Sequence, residues 1–462
     1  MKGKILLVTS EFGKQGGGLS NSAYLFSNYL NNRGIDFEVI ISSNINNGYQ
    51  FPKEFKNDNF IINNSLSVIN GGYNNKLSND LFFRANINNQ VIKYKDSFID
   101  SIIAFGAGNN GLFASELAIE LNAKLIVMPR GSELNLAISN AELYHSNLIC
   151  LKRATAVVSI SEEISVRGKR IYYNPKTLYD VIPNIINVTE TIKLEKFNNN
   201  KTKFILGTGA KFLNEKKGIA NLIQSLYYLN KLSDIRFHLK LVGFIDYDLL
   251  ENYKKLINSL SLNSYVSFVG VLDRDLYVEE IKSWDIALQG SFCEGFSNSI
   301  GDAISVGVPF IITNTGYVAE ALKDEFPELI IFDTSPEDIA KKIYETCLNK
   351  NLGIITNNAI NFLNPMVNQE AVYKKWDIFF NRLNSCTTTT SKSINDNSIV
   401  SVLLHDVTSE IISNVDISVK KLEELCELLF KSGYVLCSAK KYFQCDDKSN
   451  LIICTFDDAY SG

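Results

Sequence analysis

Gln289-Gly-Ser-Phe-Cys-Glu-Gly-Phe-Ser-Asn-Ser-Ile-Gly-Asp-Ala-Ile-Ser-Val-Gly-Val-Pro-Phe-Ile-Ile-Thr-Asn-Thr-Gly316 is the stretch from which the rest of the chain reads. An acidic residue, Glu294, opens a Gly-Phe-Ser turn, and a second, Asp302, follows eight positions later. The pattern predicts a helix from about Ser297 to Gly307, with a β-type apolar run over Val308–Ile312 behind it. A helix N-terminus presents N–H groups without intrahelical partners and the positive end of the dipole. The turn of Gly295, Phe296, Ser297 and Asn298 is therefore suited to a phosphate. Glu294 at its mouth and Asp302 about a turn inside can accept hydrogen bonds from sugar hydroxyls.

On both sides of this stretch, short apolar runs alternate with helical patterns. Ile5–Val8, Phe37–Ile41, Ile102–Phe105, Leu125–Met128 and Ala156–Ile160 read as buried parallel strands. A second series reads the same way: Phe204–Leu206, Leu239–Val242, Val266–Val269, Ile286–Leu288, Phe310–Ile312 and Leu329–Phe332. Two βα series of similar length predict an α/β chain of two doubly wound, Rossmann-like domains. These face across a cleft at the carboxyl ends of the strands, where ligands bind. The expected domains are 1–187 and 188–365, closed by a helix over 366–384 that carries Trp376, Phe379 and Phe380. Residues 44–94 are Asn-rich and give no clear assignment.

A chain of 462 residues is too long for one core, and 45% hydrophobic with 21% charged residues describes an ordinary globular protein. The formal net charge is −4 and no long basic tract occurs, which argues against nucleic acid as the main partner. No apolar run reaches the ~18 residues of a membrane helix. Eight cysteines without a C-x-x-C pair read as free thiols in a reducing compartment. The expectation is a cytoplasmic protein. The basic stretch Arg167-Gly-Lys-Arg-Ile-Tyr-Tyr173 is open to two readings, a solvated helix end or a peripheral contact with the inner membrane face.

Three further loops follow strands. Gly207-Thr-Gly-Ala-Lys-Phe-Leu-Asn-Glu-Lys-Lys-Gly218 leads into a helix over Ile219–Leu229 and offers Lys211, Lys216 and Lys217. Gly13-Lys-Gln-Gly-Gly-Gly-Leu-Ser20 contains Gly17 and Gly18, whose bare backbone permits close approach of a ligand. Its spacing is not the G-x-G-x-x-G of a dinucleotide site, which weighs against a nicotinamide oxidoreductase of the same fold. Pro129-Arg-Gly-Ser-Glu133 places Arg130 either in a polar contact with ligand or in a structural pair with Glu133. Of the three histidines, His145 and His238 lie within regular patterns and read as packed.

The Glu294–Asp302 run resembles the donor-sugar signature of the retaining glycosyltransferases of family 4, where two glutamates have seven residues between them. Here the second is the shorter Asp302. Trp284-Asp-Ile-Ala-Leu-Gln-Gly-Ser291 before it and Gly307-Val-Pro-Phe-Ile-Ile-Thr313 after it extend the likeness. So do Arg153-Ala-Thr-Ala-Val-Val-Ser-Ile-Ser-Glu162 and the hinge-like Val181-Ile-Pro-Asn184. The resemblance covers roughly 1–384 and implies the GT-B type of fold, a nucleotide-diphosphate sugar as donor, a glycan or lipid-linked acceptor, and neither metal nor cofactor. It also implies roles. Glu294 with Gly295, Phe296, Ser297 and Asn298 would hold the sugar and distal phosphate, and Asp302 the ribose. Lys211 and Lys217, with Lys216 as a rival, would stabilise the leaving diphosphate. Gly17 and Gly18 would lie near phosphate and acceptor, and Arg130 would touch the donor where many relatives carry a histidine. Asp302, Arg130 and the truncated tail support the other reading, a catalytically silent sugar-nucleotide-binding or partner protein.

Residues 385–398, polar and aperiodic, read as a linker. Beyond it, 399–462 carries strand-like runs over Ile399–Leu404 and Leu451–Thr455 and a helical pattern over Ser418–Phe430. Val402-Leu-Leu-His-Asp-Val407, Lys431-Ser-Gly-Tyr434 and Cys454-Thr-Phe-Asp-Asp-Ala-Tyr460 resemble the opening of the polysaccharide deacetylase family, with Asp457 as base and Asp458 as metal ligand. The His-x-x-x-His pair which that family needs is absent from the 462 residues, so the segment is expected to be inactive and partial, as in a fragment of a longer fusion.

Overall fold

The computed structural model describes residues 3–13, 17–41, 86–188 and 201–386, apart from 233 and 350. It also gives the backbone of short strands at 62–63, 400–404, 407–408, 417–418, 435–437 and 451–456. The first domain is built on a seven-stranded sheet. Its strands are β1 Lys4–Thr9, β2 Phe37–Ile41, β3 Ile62–Asn63, β4 Ile99–Phe105, β5 Lys124–Met128, β6 Ala156–Ser159 and β7 Leu178–Val181. All pair in parallel, in the order β3-β2-β1-β4-β5-β6-β7. The second sheet has six parallel strands: β8 Lys203–Phe212, β9 Arg236–Phe244, β10 Val266–Gly270, β11 Ile286–Gln289, β12 Phe310–Thr313 and β13 Ile330–Ile331. Their order is β10-β9-β8-β11-β12-β13.

These strands form where the sequence supplies unbroken apolar runs, because a parallel sheet covered by helices on both faces is buried on both. Leu6, Leu7, Val8, Ile102, Ile103, Ile126, Phe310, Ile311 and Ile312 are wholly buried. Each such side chain contributes on the order of 1.5–3 kcal/mol by leaving water. The strand order reverses between β1 and β4 in the first sheet and between β8 and β11 in the second. Those switch points open crevices at the carboxyl ends of the strands, and the site below is built from the loops there. Among the described residues, no helix is long and apolar enough to cross a membrane.

The helix Gln369–Asn384 packs against the first domain. Trp376 meets Phe26 with ring centroids 4.7 Å apart, Phe380 stacks on Tyr29, and Arg33 grips Asp377 with bonds of 2.8 and 2.7 Å. Beyond it, Val400–Leu404, Leu451–Phe456 and Val435–Cys437 form a parallel three-stranded sheet in that order with Leu451–Phe456 central. The two tail strands expected from sequence are present, and the third has no counterpart in that expectation. The helix expected over 418–430 lies outside the described residues beyond Ser418, as do Asp457, Asp458, most of the linker and nearly all of 44–85.

Candidate functional site

The second domain supplies a cation, a carboxylate and a helix end at one point. After β8 the chain makes a short turn over Glu215–Lys217 and reverses at Gly218, which is left-handed with φ 62°. A Cβ at Gly218 would also stand 2.0 Å from the Gly290 carbonyl oxygen, so any side chain would push the turn off β11. The turn delivers Lys217 Nζ to 2.5 Å from Glu294 Oε1, and the Ser291 hydroxyl donates to the same oxygen at 2.6 Å. Of the two rival lysines, Lys217 makes this contact. Burial pushes the Glu294 carboxyl up, but the charge and hydrogen bond of Lys217, the Ser291 hydroxyl and the Lys216 charge outweigh it and hold the group below the ordinary carboxylate value. The Glu294 N–H donates to Thr315 Oγ1 at 3.0 Å, which fixes the loop.

The helix begins at Asn298, runs to Ser305, and is preceded by Ser297 in a left-handed conformation with φ 77°. Such a conformation costs a non-glycine residue roughly 1–2 kcal/mol. The Ser297 hydroxyl is buried with no hydrogen-bond partner among the described residues. Backbone strain and an unsatisfied buried hydroxyl together, beside a helix N-terminus, are features that concentrate at functional sites.

The first domain closes over this point. Lys211, near the end of β8, reaches across to Glu11 beyond β1, Nζ to Oε1 2.6 Å. Cβ atoms on Gly17 and Gly18 would lie 2.8 Å from Lys211 and 2.4 Å from Asn298, so these glycines let the helix Gly18–Asn32 approach the second domain. Residues 14–16, which precede them in the glycine-rich loop, lie outside the described residues. Gly295 meets the backbone of Arg130, where a Cβ would stand 2.2 Å from the carbonyl oxygen. The Arg130 guanidinium donates to Asn184 Oδ1 and lies 4.4 Å above the Phe105 ring. Asn184 Nδ2 in turn donates to Asn298 Oδ1 at 2.8 Å. The Glu133 carboxylate accepts from the Arg130 and Ala107 backbone N–H groups, so its tie to Arg130 runs through the main chain while the guanidinium turns to the hinge. Burial lowers the Arg130 pKa to about 10, and the Glu133 charge opposes that.

Asp302, one turn into the helix, is held by Arg274 at the start of the helix Arg274–Lys282, with paired bonds of 2.8 and 2.6 Å. A further junction between domains lies at Glu320. Its carboxylate accepts from the N–H groups of Glu162 and Glu163 at 3.1 and 2.8 Å, at the start of the helix Glu162–Ile171. In the same helix Arg167 is tied to Glu163 and Asn135, so the basic stretch is engaged by its own domain at that residue. His238 lies on β9, is partly buried, and bonds Ser267 at 2.7 Å. The structure thus gathers Glu294, Lys217, Lys211, Gly17, Gly18, Gly295–Asn298 and Arg130 around one cleft. It adds Ser291, Asn184, Glu11 and Arg274, which sequence reasoning does not assign. Of these, Asn184 and Ser291 carry a signal, at the ends of the Val181–Asn184 and Trp284–Ser291 runs, while Glu11 and Arg274 carry none.

Residues 189–360 match the family model described as glycosyl transferases group 1. An uncharacterized glycosyltransferase of Methanocaldococcus jannaschii is 28% identical over 243 residues, 51% of this chain and 60% of that protein. A second from the same organism is 27% identical over 40% of this chain and 48% of its own. The chain thus spans about half to three-fifths of the length of these curated relatives. Among solved structures, sucrose-phosphate synthase from Thermosynechococcus elongatus superposes with a TM-score of 0.66 at 14% identity, covering 84% of this chain and all of that one. Anabaena HepE in complex with UDP-glucose gives 0.60 at 15% identity, covering 82% of this chain and 100% of that one. The fold is that of the GT-B glycosyltransferases, and within it residues 189–360 are similar to the group 1 glycosyltransferase domain.

Proposed function

We propose that this chain is a glycosyltransferase that moves a sugar from a nucleotide-diphosphate sugar to a glycan or lipid-linked acceptor, with retention of anomeric configuration and without a metal, in surface-polysaccharide synthesis. The observation that carries the reading is the Lys217–Glu294 pair beside the N-terminus of the Asn298–Ser305 helix, at the switch point of the second sheet. Lys217 and Ser291 both bind Oε1 of Glu294, which leaves Oε2 to accept from a sugar hydroxyl. The helix N-terminus and Lys217 oppose the negative charge that grows on the departing diphosphate. Lys211 joins them when the diphosphate takes the place of Glu11. The diphosphate oxygen, as in the family resembled, assists removal of the acceptor proton. Contacts of Gly295 with Arg130 and of Gly18 with Asn298 shut the cleft and exclude water.

A second reading, a silent binder, is favoured by one observation: Lys211 and Asp302 already hold partners within the chain. Release of nucleoside diphosphate from UDP-, GDP- and ADP-sugars in the absence of acceptor separates the two. A transferase hydrolyses one donor slowly, and Lys217→Ala lowers that rate by about 100-fold or more. Release from none of them would favour the silent binder, and an unchanged rate in Lys217→Ala would remove Lys217 from the site.

A further inference from the structure

The side chain of Asp302 is one carbon shorter than glutamate, and its position is set from another helix. Arg274 is the first residue of the helix Arg274–Lys282 and meets Asp302 fork to fork, Nη1 to Oδ2 at 2.8 Å and Nη2 to Oδ1 at 2.6 Å. Both side chains are mostly buried. Tyr277, one turn further along the same helix, is packed over β8, and its hydroxyl would be 2.5 Å from a Cβ on Gly209. Gly209 is two residues before Lys211. The helix that carries Arg274 is thereby seated on the strand that carries Lys211, and Asp302 lies one turn inside the helix that starts at Asn298. A carboxylate offers about four lone-pair directions, and a bidentate guanidinium takes two. The two that remain lie on the outer edges of the oxygens.

We propose that Arg274 is a positioning residue that clamps Asp302 with its outer lone pairs turned to the ribose hydroxyls of the donor nucleotide, and so confers selection for ribonucleotides over deoxyribonucleotides. This rests on the nucleotide-sugar reading of the same site. Without the clamp, the Asp302 carboxylate is free to rotate about its side-chain torsions, and a hydroxyl loses its oriented acceptor. Arg274 itself need not touch the ligand, because the selection is exerted through Asp302.

The test uses the full chain and calorimetric titration with UDP, GDP and ADP, each paired with its 2′-deoxy form. The wild-type protein is expected to bind one ribonucleotide at least about tenfold more tightly than its deoxy partner, the worth of one hydrogen bond to a charged group. In Arg274→Gln the ribonucleotide weakens toward the deoxy value, and the ratio falls to within about twofold, while affinity for the deoxy form is retained. Arg274→Lys, which keeps the charge and loses the fork, gives an intermediate ratio. Asp302→Asn loses selection as Arg274→Gln does. A merely structural role would weaken both forms equally and leave the ratio intact, and that outcome overturns the inference. So does a wild-type protein that binds a ribonucleotide and its deoxy form alike. Failure of all three nucleotides to bind the wild type would instead overturn the nucleotide-sugar reading beneath it. If Arg274→Gln does not fold, the ratios in Arg274→Lys and Asp302→Asn decide the question.

Discussion

Replacing Lys217 by Met keeps most of the aliphatic stem and removes the charge. The ammonium is 2.5 Å from Glu294 Oε1, and the two side chains are only 19% and 12% exposed. Removing one partner of a fully buried pair costs about 3–5 kcal/mol, since the other charge is left uncompensated. Residual exposure and the Ser291 bond to the same oxygen reduce the expected loss to roughly 2–3 kcal/mol. A domain of this size shifts its melting temperature by about 2–4 °C per kcal/mol, so the second domain's transition should fall by roughly 4–12 °C. The pH dependence carries a sign as well. With its pKa depressed, Glu294 binds fewer protons folded than unfolded, so its contribution is complete above the ordinary value near about 4.3 and is lost as pH falls through the folded pKa. Without Lys217, burial is opposed chiefly by Ser291 and Lys216, and the carboxyl moves upward. Stability should then fall as pH rises through that raised value. Scanning calorimetry of the wild type, Lys217→Met, Glu294→Gln and the double variant from pH 4 to 8 reads both effects. The double variant should recover most of the loss seen in Lys217→Met. If its loss equals the sum of the single losses at every pH, the pair is not coupled and the reasoning fails.

Three other outcomes follow from the same geometry. Gly295→Ala places a methyl 2.2 Å from the Arg130 carbonyl oxygen, so the domains must part. Small-angle scattering should show a larger radius of gyration than the wild type, and donor turnover should drop by tenfold or more, about 1.4 kcal/mol or above, within the usual range for overpacking. Glu11→Gln removes the carboxylate that competes for Lys211, and because that pair is partly exposed the gain in nucleoside-diphosphate affinity should be no more than about fivefold. Weaker binding would mean that Glu11 positions Lys211 for the ligand. Glu320 is raised above the ordinary carboxylate value, chiefly by burial, with the charges of Glu163 and Glu162 adding to the rise and their N–H groups opposing it. Its contribution is present below the unfolded value and is lost as pH rises through the folded one. Glu320→Gln should therefore gain in melting temperature relative to the wild type as pH rises above the ordinary carboxylate value of about 4.3, and a flat difference would show that Glu320 does not titrate with a raised pKa.

The strands are legible because parallel, doubly covered strands need apolar residues at every position, and Ile5–Val8 or Phe310–Ile312 supply them without a break. β7, Leu178–Val181, escapes sequence reading for the opposite reason. It lies at the sheet edge, only partly buried, and Asp180 within it faces Arg382 of the closing helix. The helix start at Asn298 is legible from a local run, since Glu294 through Gly307 is contiguous. The rest of the site is made by pairs far apart in the chain. Arg274 meets Asp302 across 28 residues, and Asn184 meets Asn298 across 114. Neither contact leaves a periodicity or a spacing to read. Arg130 shows the same limit, because Glu133 three residues away is the local partner in view, while the guanidinium turns to the hinge.

The most direct measurement is the thermal shift of the full chain with UDP-, GDP- and ADP-sugars, with and without EDTA, in the wild type and in Lys217→Ala. Ligand at 100 times its Kd stabilises by about 2.7 kcal/mol, which is roughly 5–10 °C for a domain of this size. One donor should raise the wild-type transition by that amount, equally in EDTA, and fail to do so in Lys217→Ala. No shift with any donor, or a shift that EDTA abolishes, would contradict metal-free binding of a nucleotide sugar at the Lys217–Glu294 pair.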